Sequence, residues 1–409
     1  MRTILINTGT ELLLGDVRDA HLAFIAREIF PLGLRIDQQR TVPDGTAIRD
    51  TLAEIFPRAD IVFVTGGLGP TTDDITREVV AELLGLELVR DEKVMAAISE
   101  RLAKRGIQQT QRIQRQAFVP IGAEVFLNEK GTAPGLWLRQ NINPAVPSPQ
   151  LFLLPGPPRE LNPMFRASVM SILREIVKVP PGMERRLYRI AGMGESLVEE
   201  AIGDRILAIP GVELGYCARP GEVELRIIGE RAVIEQADAI IKSALARSIF
   251  STADETLEEV IVKLLTQRGK TLALAESCTG GFLAHQITNI PGASKVFVDG
   301  YVTYANESKI DILKVDPKLI ERHGAVSEQV ARAMAEGARL RARSTYAIAT
   351  TGIAGPEGGS EEKPVGTVYV ALAAEDTKTV VKKLFYPSDR PTFKELTAQA
   401  AFDLLRRTL

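Results

Sequence analysis

Apolar and polar positions along the chain change period many times, and the changes mark its elements. Residues 2–9, RTILINTG, are a short apolar run ending in Gly9. Residues 17–33, VRDAHLAFIAREIFPLG, space their apolar positions for one face of a helix, closed by Pro31 and Gly33. LRIDQQRTV (34–42) predicts a strand, TAIRDTLAEIF (46–56) a helix, and DIVFVTGG (60–67) a buried strand opening into a glycine-rich loop. DDITREVVAELLG (73–85) is a helix with Gly85 at its C-terminal end. Strand and helix in alternation imply a largely parallel sheet with helices on both faces. After the loop NINPAVPSP come a strand, QLFLLPG (150–156), and a helix over 158–176.

The pattern shifts over residues 183–250. RRLYRIAG is a strand, ESLVEEAIGDRILA a helix, VELGYCARPGEVELRIIG a hairpin turning at Pro220-Gly221, and residues 231–249 a second helix. This βαββα order is α+β and KH-like. A KH unit that binds nucleic acid presents a GxxG loop to it. Here that place reads GMGES, followed by Glu199, Glu200 and Asp204, which opposes contact with a phosphate backbone. A spacer or dimerisation role is expected instead. From residue 252 the α/β alternation returns: a helix ending at Gly269, the strand TLALAES, a helix over 280–290, the strand KVFVDGYVTY, and a helix opening at NESK. A helix capped by Ser327, the strand TYAIATTG, two further strands and a closing helix from Arg390 complete it. No short-period repeat suggests a solenoid. The expected domains are 1–178, 179–251 and 252–409.

Composition changes this picture little. Charges nearly cancel, 50 basic against 52 acidic residues, which gives no strong pull toward nucleic acid or membrane. No apolar run is long enough to span a bilayer, and MRTILINTG lacks the apolar core of a signal peptide. Cys217 and Cys278 offer no disulfide framework and no zinc site, and suggest a reducing, cytoplasmic setting.

The densest chemistry is in AESCTGG (275–281), at a strand-to-helix junction. Unpaired N–H groups at such a junction can hold an anion or a developing oxyanion. Gly280 and Gly281 let a substrate approach the backbone beside Thr279. Ser277 is either a nucleophile or a helix cap. A nucleophile needs a base, and the histidines are His21, His285 and His323. On a helix, His285 would lie about 12 Å along the axis and about 80° around it from Ser277, out of reach. Lys309 is the better candidate. With Asn306 as cap it would be the third helical residue, at the positive end of the dipole, where a lysine is locally unfavourable and its pKa falls. The alternative is an exposed lysine paired with Glu307 or Asp311. ATTGIAGPEGG (349–359) places Thr351 and Gly352 at a strand end, with Gly355 following, and Arg390 opens the last helix. Both suit a phosphate.

In the first segment, TGTELLLGD offers Gly9 and Glu11, and TGGLGPTTDDIT offers Gly66, Gly67 and Gly69 before Asp73 and Asp74. Loop N–H groups could hold a pyrophosphate, and paired carboxylates suit a hard divalent cation. Charge balancing at the helix start is the alternative reading of Asp73-Asp74. The loop is not GxGxxG, so no Rossmann dinucleotide fingerprint is supported. NEKGTAPGLWL and LLPGPPRE, the latter with Gly156, could close the site, and Trp137 reads as core.

AESCTGG, GYVTYANESK, ATTGIAGPEGG and SDR resemble the C-terminal domain of the CinA family, the competence- and damage-inducible proteins. The resemblance implies an α/β amidohydrolase domain that deamidates nicotinamide mononucleotide. It implies Ser277 as nucleophile, Lys309 as base and Tyr304 as a proton-transfer aid. Thr351 and Arg390 would hold the substrate, and no metal is needed. GGLGPTTDD and its companion loops resemble the family's N-terminal domain, a three-layer fold related to molybdopterin-binding proteins. That fold implies pterin binding or hydrolysis of ADP-ribose with a divalent metal (Mg, Mn or Co); the GGLGPTTDD form resembles the CinA version, which favours the hydrolysis, with Asp74 at the acidic position of the pterin-binding relatives. The family also implies a homodimer.

Overall fold

The computed structural model describes residues 1–108, 110–177, 183–375 and 377–409. The chain forms two compact units, Met1–Pro181 and Gly182–Leu409. The expected boundary at 178/179 lies outside the described residues.

In the first unit the strands are β1 (Thr3–Thr8), β2 (Ile36–Val42), β3 (Ile61–Thr65), β4 (Leu88–Arg90), β5 (Phe118–Pro120), β6 (Glu124–Phe126), β7 (Gly135–Leu138) and β8 (Gln150–Leu154). Six of them form one sheet in the order β2-β1-β3-β8-β7-β6, while β4 and β5 pair separately. The β2-β1-β3-β8 pairs are parallel, and β7 and β6 run antiparallel. The period of two divides each strand between two cores. Leu5, Ile61, Phe63 and Phe152 enter one, with the helices His21–Ile29 and Pro158–Met164. Ile4, Ile6, Val62, Val64 and Leu153 enter the other, with Ala47–Ile55 and Thr76–Leu84. The result is a three-layer α/β domain. Trp137 is buried, stacked on Phe152 at 6.1 Å, and its indole N–H donates to Gln150 Oε1.

The second unit starts with β9 (Met183–Ala191), β10 (Glu213–Arg219), β11 (Glu222–Glu230) and β12 (Ile249–Ser251), an antiparallel sheet in the order β10-β11-β9-β12. The helices Glu195–Leu207 and Arg231–Leu245 bury Val198, Ile202, Ile234 and Ile241 against it. It continues with β13 (Leu272–Glu276), β14 (Phe297–Val302), β15 (Tyr346–Gly352), β16 (Thr367–Ala374) and β17 (Thr377–Phe385), ordered β14-β13-β15-β16-β17. The first three are parallel. One face carries Leu272, Leu274 and Ile348 beneath the helices Leu257–Arg268 and Arg390–Thr408. The other is alanine-rich, with Ala273, Ala275, Ala347 and Ala349 against the helix Glu328–Ala342. Ala191 and Phe250 of the antiparallel sheet enter the first of these cores, so the KH-like part and the α/β part share packing.

Candidate functional site

Two cavities gather the residues singled out in the sequence. In the second unit, β13 ends at Glu276 and its ladder continues one residue further: Ser277 N–H donates to Thr350 O at 3.0 Å, and Thr303 N–H donates to Glu276 O at 2.9 Å. The backbone at Ser277 is thus held from both neighbouring strands. A cavity of about 260 Å³ opens there, lined by Ser277, Cys278, Tyr304, Asn306, Lys309, Thr351, Gly352, Gly355, Glu357 and Arg390, among others.

Lys309 is 1% exposed. Its Nζ donates to the carbonyls of Thr303 (2.9 Å) and Tyr304 (3.0 Å), and no carboxylate pairs with it among the described residues. Burial pushes its pKa below the ordinary lysine range, against smaller upward pulls from Cys278 and Glu307. This corrects the expected geometry. The helix runs Asn306–Leu313 with Ala305 as its cap, so Lys309 is the fourth helical residue, and desolvation is the chief cause of its shift. Cys278 is buried and its thiol is pushed up to about 12, chiefly by desolvation. A thiol so hard to ionise is a packing neighbour, not a nucleophile.

Among the expected substrate contacts, Asn306, Thr351, Gly352, Gly355 and Arg390 line the cavity, and Thr279, Gly280 and Gly281 do not. The buried Thr279 hydroxyl is spent on Thr350 Oγ1 at 2.8 Å. Thr351 Oγ1 donates to Ala325 O at 2.8 Å. Arg390 donates from Nε and Nη2 to Gly355 O, which leaves guanidinium N–H groups for an anion. Tyr304 is 61% exposed. His285 is exposed, outside the cavity, and bonded to Asn289.

The helix after the turn, Phe282–Thr288, was expected to offer N–H groups to an oxyanion. It does not. Glu276, 1% exposed, accepts from the N–H groups of Gly281, Leu283 and Ala284. The N–H groups of Cys278 and Thr279 have no oxygen acceptor among the described residues. Sequence reasoning missed Glu276; an acidic residue immediately before a Ser-Cys-Thr-Gly-Gly turn was the available signal.

In the first unit a cavity of about 450 Å³ brings together every residue expected there: Gly9, Glu11, Gly66, Gly67, Gly69, Asp73, Asp74 and Gly156. Lys130 and Glu160, from the two loops expected to close the site, line it too, as do Asp44, Arg105 and Gln116, which were not foreseen. Gly66 and Gly67 have φ of 98° and 64°, left-handed values that favour glycine. The N–H groups of Gly67, Leu68 and Gly69 have no acceptor among the described residues. Asp74 accepts from Thr71 N–H at 2.9 Å and from its hydroxyl. Asp73 is exposed. Among the described residues no group of three or more His, Cys, Asp or Glu side chains converges as a metal-ligand set.

Comparison with known proteins decides the family. A CinA-like protein of Akkermansia muciniphila is 42% identical over 404 residues, covering 98% of this chain and 96% of the relative. The chain belongs to the CinA family. Residues 254–409 match the CinA C-terminal domain, residues 185–252 the damage-inducible protein CinA KH domain, and residues 4–175 the probable molybdopterin binding domain. A putative competence-damage inducible protein of Caldicellulosiruptor bescii is 40% identical over 413 residues, covering 99% of this CinA-family chain and 98% of the relative. Among solved structures, competence/damage inducible protein CihA from Agrobacterium tumefaciens is 40% identical and covers 37% of this chain and 92% of its own, with a TM-score of 0.36. Among the described residues no helix is long and apolar enough to cross a membrane.

Proposed function

We propose that the C-terminal domain is an amidohydrolase converting nicotinamide mononucleotide to nicotinate mononucleotide and ammonia. The observation that carries this reading is Lys309, buried without a carboxylate partner on the cavity that also holds Ser277 and Arg390. The Thr303 and Tyr304 carbonyls can only accept, so two N–H bonds of Lys309 stay with them. A neutral amine so held has its lone pair left to take a proton. Ser277 Oγ attacks the carboxamide carbon while its proton passes to Lys309. The N–H of Cys278, the residue after Ser277 on the cavity wall, stabilises the oxyanion. The C–N bond then breaks, the leaving nitrogen takes the proton from Lys309 as ammonia, and an ester remains on Ser277. Water gives a proton to Lys309 as it attacks the ester, which releases the carboxylate and restores Ser277. Arg390 holds the phosphate, Thr351, Gly352, Gly355 and Asn306 shape the walls, and Tyr304 aids proton transfer from the rim.

Ammonia release tests this directly. With EDTA present, wild type is expected to release ammonia from the mononucleotide, and Ser277→Ala and Lys309→Ala to lose about 10²-fold or more. No release from wild type, or an unchanged Ser277→Ala protein, would overturn it.

For the N-terminal domain we propose metal-dependent hydrolysis of ADP-ribose. The unpaired N–H groups of Gly67, Leu68 and Gly69 suit a pyrophosphate. Asp73 and Asp74 are hard oxygen donors that would hold a divalent cation (Mg, Mn or Co). Two carboxylates without a third ligand fit a cation that keeps water and shares the substrate's phosphates. It would neutralise phosphate charge when bound. The same sparse ligand set also favours a second reading, a domain that binds a pterin or nucleotide without turnover. Calorimetry with pterin and with ADP-ribose, plus and minus metal, separates them: tight pterin binding without ADP-ribose cleavage favours the second. The protein would then be a cytoplasmic, homodimeric enzyme of pyridine-nucleotide recycling that makes no direct nucleic-acid contact.

A further inference from the structure

We propose that Glu276 is a positioning residue for the Ser277 nucleophile, acting as an internal anion that fixes the turn joining Ser277 to the next helix. The inference rests on the amidohydrolase reading above. Four observations support it. Glu276 is the last residue of β13 and 1% exposed. Oε2 accepts from Gly281 N–H (3.0 Å) and Leu283 N–H (3.1 Å), and Oε1 accepts from Ala284 N–H (2.8 Å). The backbone on either side of its carbonyl is tied to both flanking strands through Thr303 and Thr350. The intervening turn contains Gly280 and Gly281, with φ of 61° and 92°.

Residues 278–281 join a rigid strand to a seven-residue helix, Phe282–Thr288. Two glycines give that turn more conformational freedom than any other residues would. The Glu276 carboxylate closes it, because the side chain starts on the strand and ends on the helix's first N–H groups. With those groups taken, the Cys278 N–H, which has no oxygen acceptor among the described residues, is the backbone donor left on the cavity wall beside Ser277. Glu276 does not line the cavity, so it acts through the backbone; it sets where Ser277 and the Cys278 N–H point. A displacement of about 1 Å at such a site can cost about 10²-fold in rate.

Glu276→Gln preserves volume but places an amide NH₂ against at least one N–H donor. Glu276→Ala removes the anchor. The test combines kinetics and hydrogen exchange on the full chain. Expected is a fall in kcat per folded molecule of about tenfold in Glu276→Gln and on the order of 100-fold in Glu276→Ala, with KM for nicotinamide mononucleotide within about twofold. Amide exchange at Gly281, Leu283 and Ala284 should accelerate in both. Unchanged kcat per folded molecule, or unchanged exchange at those three amides, overturns the proposal. Should Glu276→Ala fail to fold, the glutamine variant decides alone. If wild type releases no ammonia, the amidohydrolase reading falls and the catalytic part of this proposal with it, while exchange still decides whether Glu276 anchors the turn.

Discussion

Lys309 shows how a single residue can be out of place locally and useful for that reason. A lysine in the first turn of a helix faces the positive end of the dipole, and burial adds a desolvation cost for its charged form. Two carbonyl acceptors, Thr303 O and Tyr304 O, orient the amine without supplying the negative charge that would hold its proton. The pH dependence follows with a definite sign. The neutral amine is the acceptor, so kcat/KM should rise with pH and level off above the Lys309 pKa, which lies below the ordinary lysine range. Ammonia release measured across the pH range checks this. A rate that fell with rising pH, with no ascending limb, would assign the proton transfer to another group. Lys309→Arg keeps the charge but cannot give up its proton, so it should be as inactive as Lys309→Ala.

Each cavity is built where a parallel strand meets a loop, and that is why the elements were so legible in the sequence. The runs IVFVT and LALAE are apolar at every position but the last, as strands buried on both faces require. The glycine-rich segments after them could only be turns. Legibility stopped where side chains choose partners across the fold. Asn306 could be read as a cap, but Ala305 takes that place. The helix start after AESCTGG reads as a free anion site, but the long side chain of Glu276 bends back into it. Thr279 reads as a substrate contact, but its hydroxyl finds Thr350, distant in sequence. Glycine positions are the exception, because backbone sterics alone decide them. Gly67 has φ of 64°, and a Cβ there would overlap Thr76 Oγ1. Gly67→Ala should therefore disturb the first cavity, weakening ADP-ribose binding measured by calorimetry by about tenfold or more, a loss of about 1.4 kcal/mol. Ammonia release should stay at the wild-type rate. Unchanged binding would remove the loop from the nucleotide site.

At the scale of the whole chain, the KH-like part is joined to the α/β part of the second unit by the last helix. Asp403, 6% exposed, accepts from Arg406 and Arg407. Arg406 reaches Arg247 O at 2.8 Å, and Arg407 reaches Ala191 O at 3.3 Å. Gly192, in the loop where a nucleic-acid-binding KH unit carries GxxG, lies against Arg407 and Asp403. The arrangement is that of a structural coupling, with one carboxylate holding two arginines over the backbone of the neighbouring sheet. Asp403→Ala leaves both guanidinium groups without their anion. Breaking such partly buried pairs costs about 3 kcal/mol, and the loss should fall on the second unit. The chain carries its own reporter for this, since Trp137, the only tryptophan, lies in the core of the first unit. Unfolding of Asp403→Ala followed by far-UV circular dichroism should show an early transition at lower denaturant than in wild type. Trp137 fluorescence should report a midpoint that does not move. An early transition at the wild-type denaturant concentration would remove Asp403 from the stability of the second unit.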